Sequence, residues 1–314
     1  MRVLISLLVV ACITPVLSSC GDDAGSGGSE AHLTAVATTT HVADFVANVG
    51  GERVDVEGIL SPGGDPHAYE PRPSDAAALA DAAVVFKSGG DVDGWLDELI
   101  DNAGADAELV SLIDHVRTIR GEDEHAGEEN DPHWWQDPRN AILAVAAVRD
   151  ALIDADPEGR DIYRRNAAAY TRRLERLDSA IAACMVKVPT GQRKLVTTHD
   201  ALGYFARRYD VEVVGALIPS LSTQAQPSLK DIDALVGQIR DEGVQAIFPE
   251  TAINDRLEQA VSREAGAEVG ESLLADSLGR EGSTGDTYLE AMASNTEAMV
   301  DGMTAGKITC KPRA

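Results

Sequence analysis

Basic residues are scarce in this chain. Across 314 residues, 27 Lys and Arg stand against 52 Asp and Glu, a formal net charge of −25. That balance excludes nucleic acid or anionic lipid as an electrostatic partner and suits a soluble body that tolerates or attracts cations. A phosphate-cradling Gly-x-x-x-x-Gly-Lys-Ser/Thr loop is also missing, so nothing in the chain reads as an ATP site. Cysteine is limited to Cys12, Cys20, Cys184 and Cys310. Neither Cys184 nor Cys310 lies near another cysteine or a histidine in sequence, which argues against a thiolate zinc site. The composition is not that of a disordered chain, and the length fits two domains better than one.

What is present begins at the N-terminus. Arg2, the apolar run Val3 to Val16 and the small residues before Cys20 read as a signal peptide over residues 1–19, too short to span a membrane and stay. Leu17-Ser18-Ser19-Cys20 resembles a bacterial lipobox, which implies cleavage before Cys20 and its lipidation. Residues 20–31, rich in Gly, Ser, Asp and Ala, suit a flexible tether. Removing the signal takes away Arg2 and makes the chain one unit more negative. It also takes Cys12, and with Cys20 lipidated the pair left, Cys184 and Cys310, is expected to form a disulfide rather than two free thiols in an exported protein.

Three of the seven histidines share a setting. Asp65-Pro66-His67 recurs as Asp131-Pro132-His133, and a third histidine sits in Thr197-Thr198-His199-Asp200. Proline fixes its own φ and biases the preceding residue away from helix, so each Asp-Pro presents its histidine from a stiff turn. Imidazole is the commonest neutral ligand for zinc, and loops at strand ends are where α/β folds place ligands.

From Leu33 onward, short apolar runs alternate with helical stretches, the pattern of βα units around parallel sheets. Strands are expected at 33–38, 53–60, 83–88 and 108–114, with helices at 41–49, 75–82 (Ser74 as its N-cap) and 95–103. Residues 118–131 read as an acidic surface loop carrying His125. A helix follows at 139–155. Tyr163, Ala167, Tyr170, Leu174, Leu177, Ile181 and Cys184 then recur in steps of four and three, the signature of one long amphipathic helix. After it the alternation restarts, with strands at 194–198, 211–216, 246–249 and 267–271 and helices at 201–208, 228–242, 252–265 and 287–305.

The motifs Gly64-Asp65-Pro66-His67-Ala68-Tyr69-Glu70-Pro71, Asp131-Pro132-His133, Thr197-Thr198-His199-Asp200-Ala201-Leu202-Gly203-Tyr204 and Leu274-Ala275-Asp276-Ser277-Leu278-Gly279 resemble, in order, those of the cluster A-I solute-binding lipoproteins of metal ABC importers. The resemblance covers nearly the whole mature chain. It implies an α/β fold of two lobes, each a mainly parallel sheet with surrounding helices, joined by one long backbone helix. The corresponding spans are 32–157, 158–187 for the helix, and 188–314. It further implies a metal between the lobes, bound by His67 and His133 from the first and by His199 and Asp276 from the second. A histidine at the position of His199 favours Zn²⁺ over Mn²⁺, where glutamate is frequent. Three nitrogens and one carboxylate suit zinc independently, although copper and nickel bind such sets with overlapping strength. Where many zinc binders of the family carry a long histidine-rich loop, this chain has the acidic segment with His125, a candidate metal-acquisition loop or simply a solvated one.

The implied function is capture of extracytoplasmic Zn²⁺ and delivery to an ABC permease with its cytoplasmic ATPase. The protein is expected to be a monomer held at the bacterial cell membrane through its lipid alone, with room for a metallochaperone as loading partner. Two other classes stand beside it. A zinc hydrolase would use Glu250 as general base, but Asp276 in the fourth position would close the site to substrate. A structural or adhesive lipoprotein would hold metal without passing it on. Outside catalysis, Glu250 is expected to orient a histidine, and Trp134 and Trp135 to wall the site.

Overall fold

A computed structural model describes residues 32–103, 107–121 and 130–313. The signal, the lipobox with Cys20 and the tether lie outside the described residues, as does His125.

The first sheet is wholly parallel, with strands β1 (Leu33–Ala37), β2 (Val54–Gly58), β3 (Val84–Lys87) and β4 (Glu108–Ser111) in the order β2-β1-β3-β4. Ala35 of the central strand pairs with Val56 on one side and Val84 on the other. Alternate residues of the sheet serve opposite layers. Ala35, Ala37, Val84 and Phe86 join the main core, whereas Val36 and Val85 pack with Leu79 and Leu96. Those last two belong to α2 (Pro73–Asp81) and α3 (Trp95–Ala103), while α1 (Thr40–Gly50) and α4 (Pro138–Ala155) supply the main core. Burial on both faces is why the central strands read as nearly continuous apolar runs.

The second sheet is built from β5 (Lys194–His199) paired in parallel with β6 (Glu212–Ile218), and β7 (Ala246–Ile247) paired in parallel with β8 (Glu268–Val269). Parallel bridges Thr197 to Phe248 and Glu250 to Leu273 extend the pairing between and beyond them. The regular part of β7 is shorter than its apolar run because Pro249 has no N–H to donate. Its carbonyl still accepts from Leu273 N at 2.7 Å. Val196 and Ile247 face α7 (Leu229–Glu242) and α8 (Arg256–Ala265), whereas Leu195, Ala246 and Phe248 face the main core with α6 (Gly203–Tyr209) and α9 (Tyr288–Met303).

The main core is continuous across both sheets because α5 (Arg160–Met185) runs through it. Its 26 residues make it about 39 Å long. All seven positions of the expected stripe are buried, and so is Asp178. The end of this helix is tied to the C-terminal tail by a Cys184–Cys310 disulfide with a Cα separation of 5.5 Å.

Several boundaries differ from expectation. Helix α2 starts at Pro73, and the Asp75 carboxylate accepts from Arg72 N at 2.7 Å, so Ser74 is inside the first turn rather than its cap. Strand β4 ends at Ser111 and passes into a 3-10 turn at Leu112–His115. Helix α8 begins only at Arg256, because the residues after Glu250 turn back, with Ile253 N donating to Glu250 O at 3.2 Å.

Candidate metal centre

Both Asp-Pro-His motifs fold the same way. The aspartate Oδ1 accepts the backbone N–H of the histidine two residues on, 2.9 Å for Asp65 to His67 and 2.9 Å for Asp131 to His133, a turn that aspartate and proline favour together. His67 thus sits in the loop after β2 and His133 immediately before a 3-10 turn at Trp134–Gln136. His199 is the last residue of β5, and Asp276 lies in the chain after β8.

These four side chains meet at one point. Each offers a ligand atom within 4.8 Å of every other. The Nε2 atoms of His67 and His199 lie 3.4 and 3.3 Å from His133 Nε2. Asp276 Oδ2 is 3.5 Å from His67 Nε2 and 3.2 Å from His199 Nε2, and its Oδ1 is 3.6 Å from His133 Nε2. Ligands 2.0–2.1 Å from the centre of a tetrahedron stand about 3.3 to 3.4 Å apart, so the observed spacings are those of a small four-coordinate shell. None of the four residues is more than 8% exposed, so a cation reaches the centre only if the surrounding loops part. Asp276 Oδ1 and His67 Nδ1 are buried without a hydrogen-bond partner among the described residues, a cost that a cation on the carboxylate would offset.

Outer carboxylates orient two of the rings. His133 Nδ1 donates to Asp131 Oδ1 at 2.8 Å, and His199 Nδ1 donates to Glu250 Oε1 at 2.8 Å. A proton held on Nδ1 leaves the Nε2 lone pair pointing inward. Glu250 therefore takes the orienting position expected of it. Asp131 was visible in sequence only as the stiff half of a turn; the repeat of its motif was the available signal, but spacing does not reveal which ring nitrogen a carboxylate meets. His41 carries no sequence signal at all. It is buried, stacked on Trp135 at 5.1 Å between ring centroids, and burial pushes its pKa down to about 4.

The electrostatics follow from crowding charge in a dry site. Burial opposes a charged His199, but the carboxylates of Glu250 and Asp276 outweigh it and lift its pKa well above the usual histidine value. Burial likewise opposes the Asp276 carboxylate, while His199 and His133, with hydrogen bonds from His199 and His67, hold its pKa well below the usual range.

Contacts between the two sheet regions hold the four side chains in register. Trp135 Nε1 and Gln136 Nε2 both donate to Ala275 O, at 2.9 and 2.8 Å, next to Asp276. Leu278 N donates to Thr40 Oγ1 at 2.8 Å, and Gly63 N to Ser277 Oγ at 2.8 Å. Gly63 has φ of +78°, a left-handed conformation suited to glycine in the loop leading to His67. Thr223 Oγ1 donates to Asp65 Oδ2 at 2.7 Å, and Gln224 Nε2 donates to His67 O. Trp135 walls the site, its ring edge-on to His133 at 5.4 Å. Trp134 does not; it packs with Phe45 in the core and donates to Ser88 O at 3.1 Å.

Known proteins share this arrangement of chain. The family model described as ZnuA, zinc-uptake complex component A, periplasmic, matches residues 35–302. The metal ABC transporter substrate-binding lipoprotein SloC of Streptococcus mutans is 30% identical over 306 residues, covering 95% of this chain and 98% of its own. The manganese-binding lipoprotein MntA of Halalkalibacterium halodurans is 31% identical over 296 residues, covering 94% and 97%. Among solved structures, the periplasmic zinc-binding protein TroA of Treponema pallidum superposes with a TM-score of 0.80 at 27% identity, covering 87% of this chain and 99% of that one.

Proposed function

Because the chain belongs to the ZnuA family, and is thereby a substrate-binding lipoprotein of a metal ABC transporter rather than an enzyme, we propose that the ion it captures is Zn²⁺, held by His67, His133, His199 and Asp276. The observation that carries the reading is the shell itself, three imidazole nitrogens and a carboxylate spaced at 3.2 to 3.6 Å. Such a nitrogen-rich tetrahedral set suits zinc, whereas manganese prefers more oxygen and a larger coordination number. The lobes would span 32–157 and 188–314, with 158–187 linking them.

Family membership implies a permease and an ATPase as partners, since the chain only binds and delivers. No helix among the described residues is long and apolar enough to cross a membrane. Attachment would come through lipidated Cys20 on the outer side of the membrane. With Asp276 in the cluster, no fourth position stays open for an activated water, which removes the support for a hydrolase.

Manganese is the second reading, and one feature favours it. Both oxygens of Asp276 face the cluster, Oδ2 toward His67 and His199 and Oδ1 toward His133, so the carboxylate could bind through both and raise the oxygen count. Relatives named for manganese point the same way. Metal analysis of the protein as isolated, with no metal added during purification, decides between them. Zinc at one ion per chain in protein isolated from cells supplied with both ions supports the proposal; manganese at one ion per chain overturns it, whereas displacement of manganese by zinc in vitro is expected of either reading.

A further inference from the structure

One cleft shares no residue with the metal cluster and takes no part in the chemistry above. It encloses 430 Å³, and Arg117, Arg139, Arg207 and Arg208 line it with Asp137 and Tyr204. In a chain with 27 basic residues against 52 acidic ones, four guanidinium groups around one cavity reverse the prevailing sign. Their carboxylate partners are too few. Asp178 Oδ2 accepts from Arg208 Nη2 at 2.7 Å and from Arg139 Nε at 3.3 Å. Asp137 Oδ1 is 3.9 Å from Arg208 Nε, beyond hydrogen-bond reach, and that Nε is buried without an acceptor among the described residues. Arg117 and Arg207 are exposed and make no ion pair among the described residues.

The cleft is also assembled from both lobes. Arg117 follows β4 and Arg139 opens α4, whereas Arg207 and Arg208 belong to α6. The Arg117 backbone is held on both sides by Asn140, whose Oδ1 accepts from Arg117 N at 3.0 Å and whose Nδ2 donates to Arg117 O at 3.0 Å. Arg208 is held by Asp178 and by the Tyr209 ring, 5.2 Å from its guanidinium carbon. Tyr204 in the wall accepts from Ile119 N at 3.2 Å and donates to Asp131 O at 2.8 Å, joining the same two lobes.

We propose that this cleft binds a small multivalent oxyanion, of which inorganic phosphate is the simplest, gripped by arginines from both lobes. Guanidinium forks match the oxygens of such an anion two at a time, and the exposed guanidinium groups of Arg117 and Arg207, one from each lobe, give it more than one point of attachment. An anion seated there would hold the lobes together independently of any metal.

Calorimetric titration of metal-free protein with inorganic phosphate at fixed ionic strength, with sodium chloride as control, tests this. One saturable site is expected, weakened about tenfold or more by Arg117→Ala on one lobe and by Arg207→Ala on the other. Arg172→Ala, an exposed arginine on α5 that does not line the cleft, should leave it unchanged. Thermal melts confirm that the variants fold. Binding that fails to saturate, that is lost in only one lobe's variant, or that weakens equally in Arg172→Ala overturns the proposal.

Discussion

Glu250 and Asp131 touch no metal in the proposed shell, yet each decides which nitrogen of its histidine faces inward. Glu250→Gln keeps an oxygen opposite His199 Nδ1 but removes the charge, so zinc affinity should fall about 10- to 100-fold, the usual cost of losing an outer partner. His199→Ala removes a proposed ligand and should cost more than Glu250→Gln; competition titration of the two variants orders them. The raised pKa of His199 sets a pH dependence. Zinc requires the neutral ring, so below the folded pKa of His199 the proton competes, and apparent affinity should fall about tenfold for each pH unit of acidification. The decline should begin above the ordinary histidine value of about 6.5. A flat profile between about pH 7.5 and 5.5 would show that this ring is not a ligand. At this scale the sequence was informative where a residue sat in a repeated motif, as with His67 and His133. It was silent on His41, whose setting depends on packing between distant segments, and on which ring nitrogen Asp131 meets, which depends on side-chain rotamers inside the turn.

Helix α5 was the most legible element, since its stripe of large apolar residues has only one face to bury and no alternative period fits it. Less visible was the buried Asp178 on the same face, which gathers Arg139 from α4 with Arg208 and Tyr209 from α6. The strand ends were poorly legible for a different reason. The apolar run at β7 outlasts its regular ladder, which Pro249 reduces to isolated bridges at Phe248 and Glu250, and apolarity alone does not report that change. The disulfide at the end of α5 yields a further test. It closes a separation of 126 residues, for which chain entropy sets a contribution of about 4 to 5 kcal/mol. Cys310→Ser should therefore lower the thermal midpoint clearly, and oxidised protein should gain 2 Da on full reduction, about the mass of two hydrogens. An unchanged mass and midpoint would mean the thiols are free in solution.

On the scale of the whole molecule, the proposed ligands belong to two sheets that share one core through α5, and the closed site is fastened by hydrogen bonds between segments far apart in sequence. The bond from Thr223 to Asp65 is one such fastening, and neither residue is a proposed ligand. Thr223→Ala should speed chelator-driven metal release about two- to tenfold, the worth of one hydrogen bond, while leaving the ligand set intact. Stopped-flow release from the two proteins measures it, and an unchanged rate would show that this contact does not limit opening. The two-lobed plan was legible from alternating patterns and four ordered motifs; how tightly the lobes close over the site was not, because it rests on backbone groups such as Ala275 O. The central claim is that four side chains hold one zinc ion, and X-ray absorption at the zinc edge of loaded protein tests it most directly. The expected result is a single shell of four ligands at about 2.0 to 2.1 Å with the outer scattering of three imidazoles. A sulfur ligand, fewer than three imidazoles, or a six-coordinate shell would contradict it.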